Sequence, residues 1–302
     1  MENQVVSTTA GGVNPRGAWI TVNRNCNFRC NGCYAIGTGY DPTKDMPFDL
    51  AKNIVNLVDD MEIKNITVIG GEPPLWPHLL SFNKLCNDKG LKTTVVTNAT
   101  RFGVNSFWDR YINAPNSKAG ISVKAFDKES LQKLAGVGSH NLTQKGLRRA
   151  IKYFGCGIST VYSVASANTF LDLARFAMDC GAKSISISTC TPAFSNGIAD
   201  GTYVADPHST VKHIVDIYPE LVKITGGRVV FSMKLPLCLW PVSFIETLID
   251  NNQIRSVCQL QYRTGLIFDV DGKIATCNSL FDYPIGEYGI DFTDNKSLVS
   301  LI

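Results

Sequence analysis

The sequence predicts an α/β protein in which a partial (β/α)6 barrel is followed by a small α+β unit built on a β-hairpin. Three observations carry this. Short β-branched runs alternate with longer stretches of helical apolar spacing through most of the chain, and the texture changes at Pro236, where the run Leu235-Pro236-Leu237-Cys238-Leu239-Trp240-Pro241 begins. Beyond that point Asp271-Gly272 stands between two apolar runs, a strong hairpin signal.

Strands are predicted over 18–22, 66–69, 92–97, 120–125, 157–163 and 183–189, where Val, Ile and Thr concentrate. Between the first two, Leu50, Ile54, Leu57, Val58 and Met61 recur at helical spacing, and Leu171, Ala174, Ala177 and Met178 do so before the sixth. Strands separated by helices pair in parallel through right-handed crossovers. A helix over 207–218 and a last strand over 228–232 follow, so the chain divides into 1–235 and 236–302. Alternation alone leaves a doubly wound sheet open as the other arrangement.

Period two sorts the side chains of the sixth strand. Ser184, Ser186, Ser188 and Cys190 share one face while Ile185, Ile187 and Thr189 share the other. The isoleucines are expected against the helices, which aims Cys190 at the barrel interior near its rim. The same alternation puts Ser122 together with Lys124, a residue foreign to a dry core. A lumen lined by serines and a lysine would be wet, unless the lysine snorkels to the rim and the serines pack against backbone.

With 44% hydrophobic and 18% charged residues, the 302-residue composition is that of an ordered protein with a sizeable core. A formal charge of +3, spread along the chain, makes no electrostatic case for nucleic acid. The N-terminus lacks the basic and apolar regions of a secretory signal, and no run is apolar enough for a membrane span, so a cytosolic location is expected. Ten cysteines in a reducing compartment read as metal ligands where clustered and as small buried residues where scattered, as for Cys86, Cys156 and Cys180.

Cys26, Cys30 and Cys33 are spaced Cys-x3-Cys-x2-Cys. Three thiolates on one loop suit three irons of a 4Fe–4S cluster and leave the fourth iron open for chemistry. A zinc knuckle is the rival reading, but it needs a fourth Cys or His nearby and none follows before His78. At the end of the second predicted strand stands Ile69-Gly70-Gly71-Glu72-Pro73-Pro74-Leu75. Two glycines there admit close backbone approach, and a carboxylate accepts from an ammonium group. The four histidines, His78, His140, His208 and His213, assemble no triad.

The cysteine triad followed by the Gly-Gly-Glu turn resembles the radical S-adenosylmethionine enzymes, whose fold is a partial TIM barrel. The resemblance runs through the chain, because the tail from Cys238 to about Phe292 looks like the auxiliary-cluster module called twitch, a shortened relative of the SPASM domain. It implies that the open iron is chelated by S-adenosylmethionine (AdoMet), with Tyr34 near the adenine and Gly70, Gly71 and Glu72 holding the methionyl amine. Asn98, Ser122 and Lys124 correspond to positions that contact ribose or carboxylate in relatives, and Tyr162 to one that approaches adenosine or substrate. A reduced cluster would then cleave AdoMet to methionine and a 5'-deoxyadenosyl radical that abstracts a substrate hydrogen.

The same resemblance implies a second 4Fe–4S cluster on Cys238, Cys258 and Cys277, with Gly265 part of the pattern. Its fourth ligand is open, or is Cys190. If free, Cys190 would instead be a catalytic hydrogen donor, as in radical peptide epimerases; its plain reading is a small buried strand-end residue. The tail looks most like those of enzymes that modify ribosomally made (RiPP) peptides, which implies a peptide substrate, crosslinking or another carbon-centred modification, and a reducing protein such as flavodoxin or ferredoxin. Some 17 residues precede the first strand, so the precursor is expected to need a separate leader-recognition protein or to bind directly through the barrel mouth. The alternatives are a small-molecule dehydrogenase or rearrangement enzyme of amino-sugar or nucleotide type, and a non-enzymatic electron carrier.

Overall fold

A computed structural model describes residues 17–35, 43–136, 139–163, 166–195, 198–255, 265–278 and 280–301. The strands are β1 (Gly17–Thr21), β2 (Asn65–Ile69), β3 (Lys92–Thr97), β4 (Ala119–Ser122), β5 (Ile158–Tyr162), β6 (Ile185–Thr189), β7 (Ala193–Ser195), β8 (Ile198–Asp200), β9 (Val229–Ser232), β10 (Ile254–Arg255), β11 (Gly265–Phe268), β12 (Lys273–Ala275) and β13 (Gly286–Glu287). The helices are α1 (Phe48–Asp60), α2 (Leu79–Asp88), α3 (Asn105–Ile112), α4 (Lys128–Ala135), α5 (His140–Phe154), α6 (Phe170–Asp179), α7 (Pro207–Thr225), α8 (Val242–Asp250) and α9 (Asn295–Leu301).

The main sheet has the order β10-β9-β6-β5-β4-β3-β2-β1-β11-β12-β13. From β1 to β6 neighbours in space are neighbours in sequence and every pair is parallel. A doubly wound sheet would reverse that order at a switch point. The winding here goes one way, as in a barrel, and among the described residues the sheet ends on β10 and β13 without returning on itself.

The apolar spacing of the helices explains the packing. α1 buries Ala51, Ile54, Val55, Leu57 and Val58 on one face, and α6 buries Phe170, Leu173, Ala174, Phe176 and Ala177. They meet the outward residues of the strands, among them Ile20, Val68, Ile121, Ile158, Ile185 and Ile187, in one continuous core. The isoleucines of β6 therefore face the helices, as period two requires.

Three features depart from the sequence reading. The helix expected to stop near Tyr218 runs through Pro219 to Thr225, where Gly226 ends it at a φ of 60°. Its start is firm, since Pro207 follows an Asp206 side chain that accepts from the Ser209 N–H at 2.8 Å. The small antiparallel pair β7–β8 was not anticipated, although Asn196-Gly197 in the sequence between them is a hairpin signal. Finally, the expected hairpin of β11 and β12 is continuous with the barrel sheet, because β11 lies parallel to β1 from Gly17↔Gly265 to Ile20↔Phe268.

Candidate cofactor and substrate site

The carboxyl ends of the parallel strands meet at a cavity of about 340 Å³, and the cysteine loop after β1 forms one of its walls. Ligand sites belong at this end of parallel α/β sheets, where the loops diverge.

The loop is anchored by the C-terminus of α4. A helix leaves its last carbonyls without intrahelical partners, and here the Arg29 N–H donates to Ala135 O at 2.7 Å and the Asn31 N–H to Leu134 O at 3.0 Å. Phe28 packs with Ala125, Leu131, Leu134 and Ala135 in a small core on which Cys26 and Cys30 rest. Cys26, Cys30 and Cys33 all line the cavity. Burial pushes the Cys26 thiol up to about 12 and the Cys30 thiol up to about 11.

The Gly-Gly-Glu turn packs against this loop's approach. Gly71 N–H donates to Asn23 O and Glu72 N–H to Asn25 O, both at 2.8 Å, while the Asn23 amide donates to Glu72 O at 2.9 Å. A Cβ on Gly70 would lie 2.7 Å from Asn23 O, and one on Gly71 2.7 Å from Arg24 O. The glycines thus make room for the protein's own chain at residues 23–25, and both also line the cavity. Glu72 is 2% exposed and accepts from the Thr97 hydroxyl and from the Asn98 N–H at 3.0 Å. Burial raises its carboxyl to about 7, partly offset by those hydrogen bonds.

Asn98 lines the cavity, but its amide is engaged, donating to Asn27 Oδ1 at 2.9 Å and accepting from the Thr100 N–H at 3.0 Å. Ser122 and Lys124 line the same cavity together with Ser188 and Cys190, so the serine- and lysine-lined lumen inferred from alternation is present. Tyr162 is not part of it. Its ring stands edge-on to Phe170 and its hydroxyl bonds His213 of α7, because residue 162 has the parity of the helix-facing side of β5 while Val161 faces the cavity.

Cys190 follows β6 and is 7% exposed. A Cβ on Gly32 would lie 2.8 Å from its Sγ, so the thiol sits against the cysteine loop between Cys30 and Cys33. It borders both the main cavity and an adjoining one of about 220 Å³ that reaches Arg29, Asp200 and Tyr203. Burial raises the Cys190 thiol, and the ammonium groups of Lys124 and Lys234 oppose that shift.

The predicted second cluster is less assembled. Cys238 is exposed, Cys277 is half-buried at the end of the hairpin, and Cys258 lies outside the described residues. Among the described residues no three Cys, His, Asp or Glu side chains stand close enough to hold one metal ion. A cluster several ångströms across asks its thiolates to stand further apart than one ion does. The first triad fits such a group by its donor chemistry: three thiols share one cavity, and the Phe28 N–H already points to Cys26 Sγ at 3.3 Å.

Sequence reasoning missed the ties from the C-terminal hairpin to this site. Arg24, two residues before Cys26, forms a buried ion pair with Asp269 after β11 and lies over the Phe281 ring at 5.4 Å. Phe281 in turn stacks on Tyr34 at 6.2 Å. No local signal marks partners 245 positions apart.

A family model described as the radical SAM superfamily matches residues 20–177, more than half of the chain. The chain belongs to the radical SAM superfamily. Curated relatives include a probable GTP 3',8-cyclase of Thermococcus kodakarensis, 22% identical over 139 residues that cover 44% of this chain and 43% of that protein. An S-adenosylmethionine-dependent nucleotide dehydratase of Lacinutrix mariniflava is 28% identical over 163 residues, 50% of this chain and 33% of that one. The match thus spans well under half the length of these relatives. Among solved structures, Streptococcus suis SuiB bound to S-adenosylmethionine superposes with a TM-score of 0.72 over 96% of this chain and 66% of that one, at 16% identity. Native anSMEcpe with bound AdoMet and Kp18Cys peptide gives 0.67 over 94% and 80%, also at 16%. At such identities the likeness is one of fold. Membership of the family implies a radical-SAM-type iron–sulfur and AdoMet cofactor site in this chain.

Proposed function

We propose that this radical SAM enzyme acts on a ribosomally made peptide, abstracting a hydrogen so that a crosslink or other carbon-centred modification forms. The observation that carries the proposal is the single cavity shared by the cysteine loop, the Gly70–Glu72 turn and a hydroxyl- and lysine-lined wall ending at Cys190. The fold likeness to SuiB bound to precursor peptide SuiA, a TM-score of 0.70 over 91% of this chain, supports a peptide occupant.

In this reading Cys26, Cys30 and Cys33 hold a 4Fe–4S cluster, and bound AdoMet supplies on reduction a carbon radical able to take an unactivated hydrogen. The protein's own residues orient and exclude. Glu72 receives the methionyl ammonium, Lys124 pairs with the carboxylate, and the buried walls keep water from the reacting carbon. Cys238, Cys258 and Cys277 are assigned to a second cluster in a C-terminal module of residues 236–302. Electrons come from a flavodoxin or ferredoxin. Among the described residues no helix is long and apolar enough to cross a membrane.

A nucleotide substrate is the second reading, favoured by the GTP 3',8-cyclases among the curated relatives. The test is anaerobic reconstitution, reduction with AdoMet and measurement of 5'-deoxyadenosine, followed by incubation with short peptides from neighbouring genes or with GTP. A peptide that loses a hydrogen pair supports crosslinking. Solvent deuterium gained at an α-carbon, and abolished by Cys190→Ala, would instead make Cys190 the hydrogen donor of an epimerase. Turnover of GTP alone would refute the peptide reading.

A further inference from the structure

Nothing in the assigned AdoMet site uses Lys234, an exposed residue that follows β9 and lines the main cavity. Strand register explains its position. In the parallel pairs β5–β6 and β6–β9, Val161 lies opposite Ser188 and Ser188 opposite Ser232. The Cys190 N–H extends the first pairing by donating to Tyr162 O at 2.8 Å. Two residues further on, the same register carries Ser163, Cys190 and Lys234 to one level on the face that period two turns inward, and all three line the cavity. The ammonium groups of Lys234 and Lys124 both act on the Cys190 thiol, opposing its rise.

The charge balance of this wall is one-sided. Among the described residues Glu72 is the only carboxylate lining the cavity, and it is buried and held by Thr97 and Asn98. Neither Lys124 nor Lys234 has an ion-pair partner among the described residues. Two uncompensated ammonium groups on one wall repel each other and draw anions into the cavity. The carboxylate of AdoMet is assigned to Lys124, which leaves Lys234 for an anion on the substrate. One ammonium suits one carboxylate, whereas a chain of phosphates calls for several donors.

We propose that Lys234 receives a carboxylate of the substrate, the side chain of an aspartate or glutamate near the modified residue, and so makes the enzyme selective for acidic peptides. Lys234 is then a specificity-determining residue, standing level with Cys190 on the wall where the substrate is held. The inference rests on the assignment of a peptide to this cavity.

The test is selection of random peptides, each displayed on its own messenger RNA, by anaerobically reconstituted protein loaded with AdoMet. Peptides retained by the wild type should be enriched in Asp and Glu. Lys234→Glu should select basic residues instead, while Lys152→Glu, the same charge change at an exposed site on α5 that lines neither cavity, should select as the wild type does. For a synthetic peptide so obtained, replacing its acidic residue by the neutral amide should weaken binding to the wild type by about two- to tenfold, the range of a partly exposed charged hydrogen bond. The same replacement should change nothing with Lys234→Gln, and Lys234→Arg should restore the difference. A wild-type pool without acidic bias overturns the inference whether or not the variants fold. An acidic bias that persists with Lys234→Glu overturns it too. A pool that enriches no peptide over a protein-free control fails the peptide assignment itself, a separable result.

Discussion

Replacing Asp269 with alanine tests whether the hairpin holds the cysteine loop in place. The Arg24 and Asp269 side chains are 6% and 5% exposed, so the ion pair is almost wholly removed from water. Removing one partner of a buried pair leaves a desolvated charge and costs about 3–5 kcal/mol. The face of Phe281 beneath the guanidinium offsets only about 0.5–2 kcal/mol of that. Net of that offset, a loss of about 1–4.5 kcal/mol corresponds, for a 302-residue chain, to a fall in melting temperature of roughly 2–7 °C. Urea unfolding of the anaerobic protein followed by circular dichroism gives the free energy directly. The double replacement Arg24→Met with Asp269→Leu should recover most of the stability, because an apolar pair of similar volume avoids the desolvation. A loss below about 1 kcal/mol in Asp269→Ala, the range of exposed pairs, would refute the reasoning.

Three other outcomes follow from the site. Glu72 has its carboxyl raised from 4.5 to about 7 by burial, so the folded AdoMet-free protein binds more protons than the unfolded chain between those values. Its contribution is fully present below pH 4.5 and is lost as pH rises through about 7, a change of about 3 kcal/mol that Glu72→Gln should remove from the melting-temperature profile; parallel profiles would count against it. Gly71→Ala drives a Cβ into the backbone at Arg24 and Asn25 and should cost about 1–3 kcal/mol by thermal unfolding, with loss of AdoMet binding; an unchanged melting point would contradict that close approach. Leu134→Ala opens the small core behind Cys26 and Cys30 and should cost about 2–5 kcal/mol. Reconstituted iron content should fall with it, and a full iron complement at wild-type stability would argue against α4 as the loop's anchor.

Much of the architecture was legible because its signals are local. Period-two and helical spacing placed the first six strands and the helix-facing isoleucines of β6 within a few residues of where they lie. Tyr162 went astray because an aromatic on a strand reads the same whichever face it takes; the register of β5 turns it to Phe170 and His213. The extent of α7 was misjudged because Pro219 reads as a breaker, yet a helix packed in the core tolerates one lost hydrogen bond.

The sequence by itself determined the chemistry's donors: three thiols on one loop, a Gly-Gly-Glu turn, and a lumen of serines with Lys124, each a matter of spacing along a few residues. Only the tertiary structure decided that those glycines pack against residues 23–25, that β11 lies beside β1, and that Arg24, Tyr34, Asp269 and Phe281 meet. The physical reason is that periodicity reports which way a side chain points. Which partner it finds depends on chain closure across more than two hundred residues, and burial assigns its energy only there.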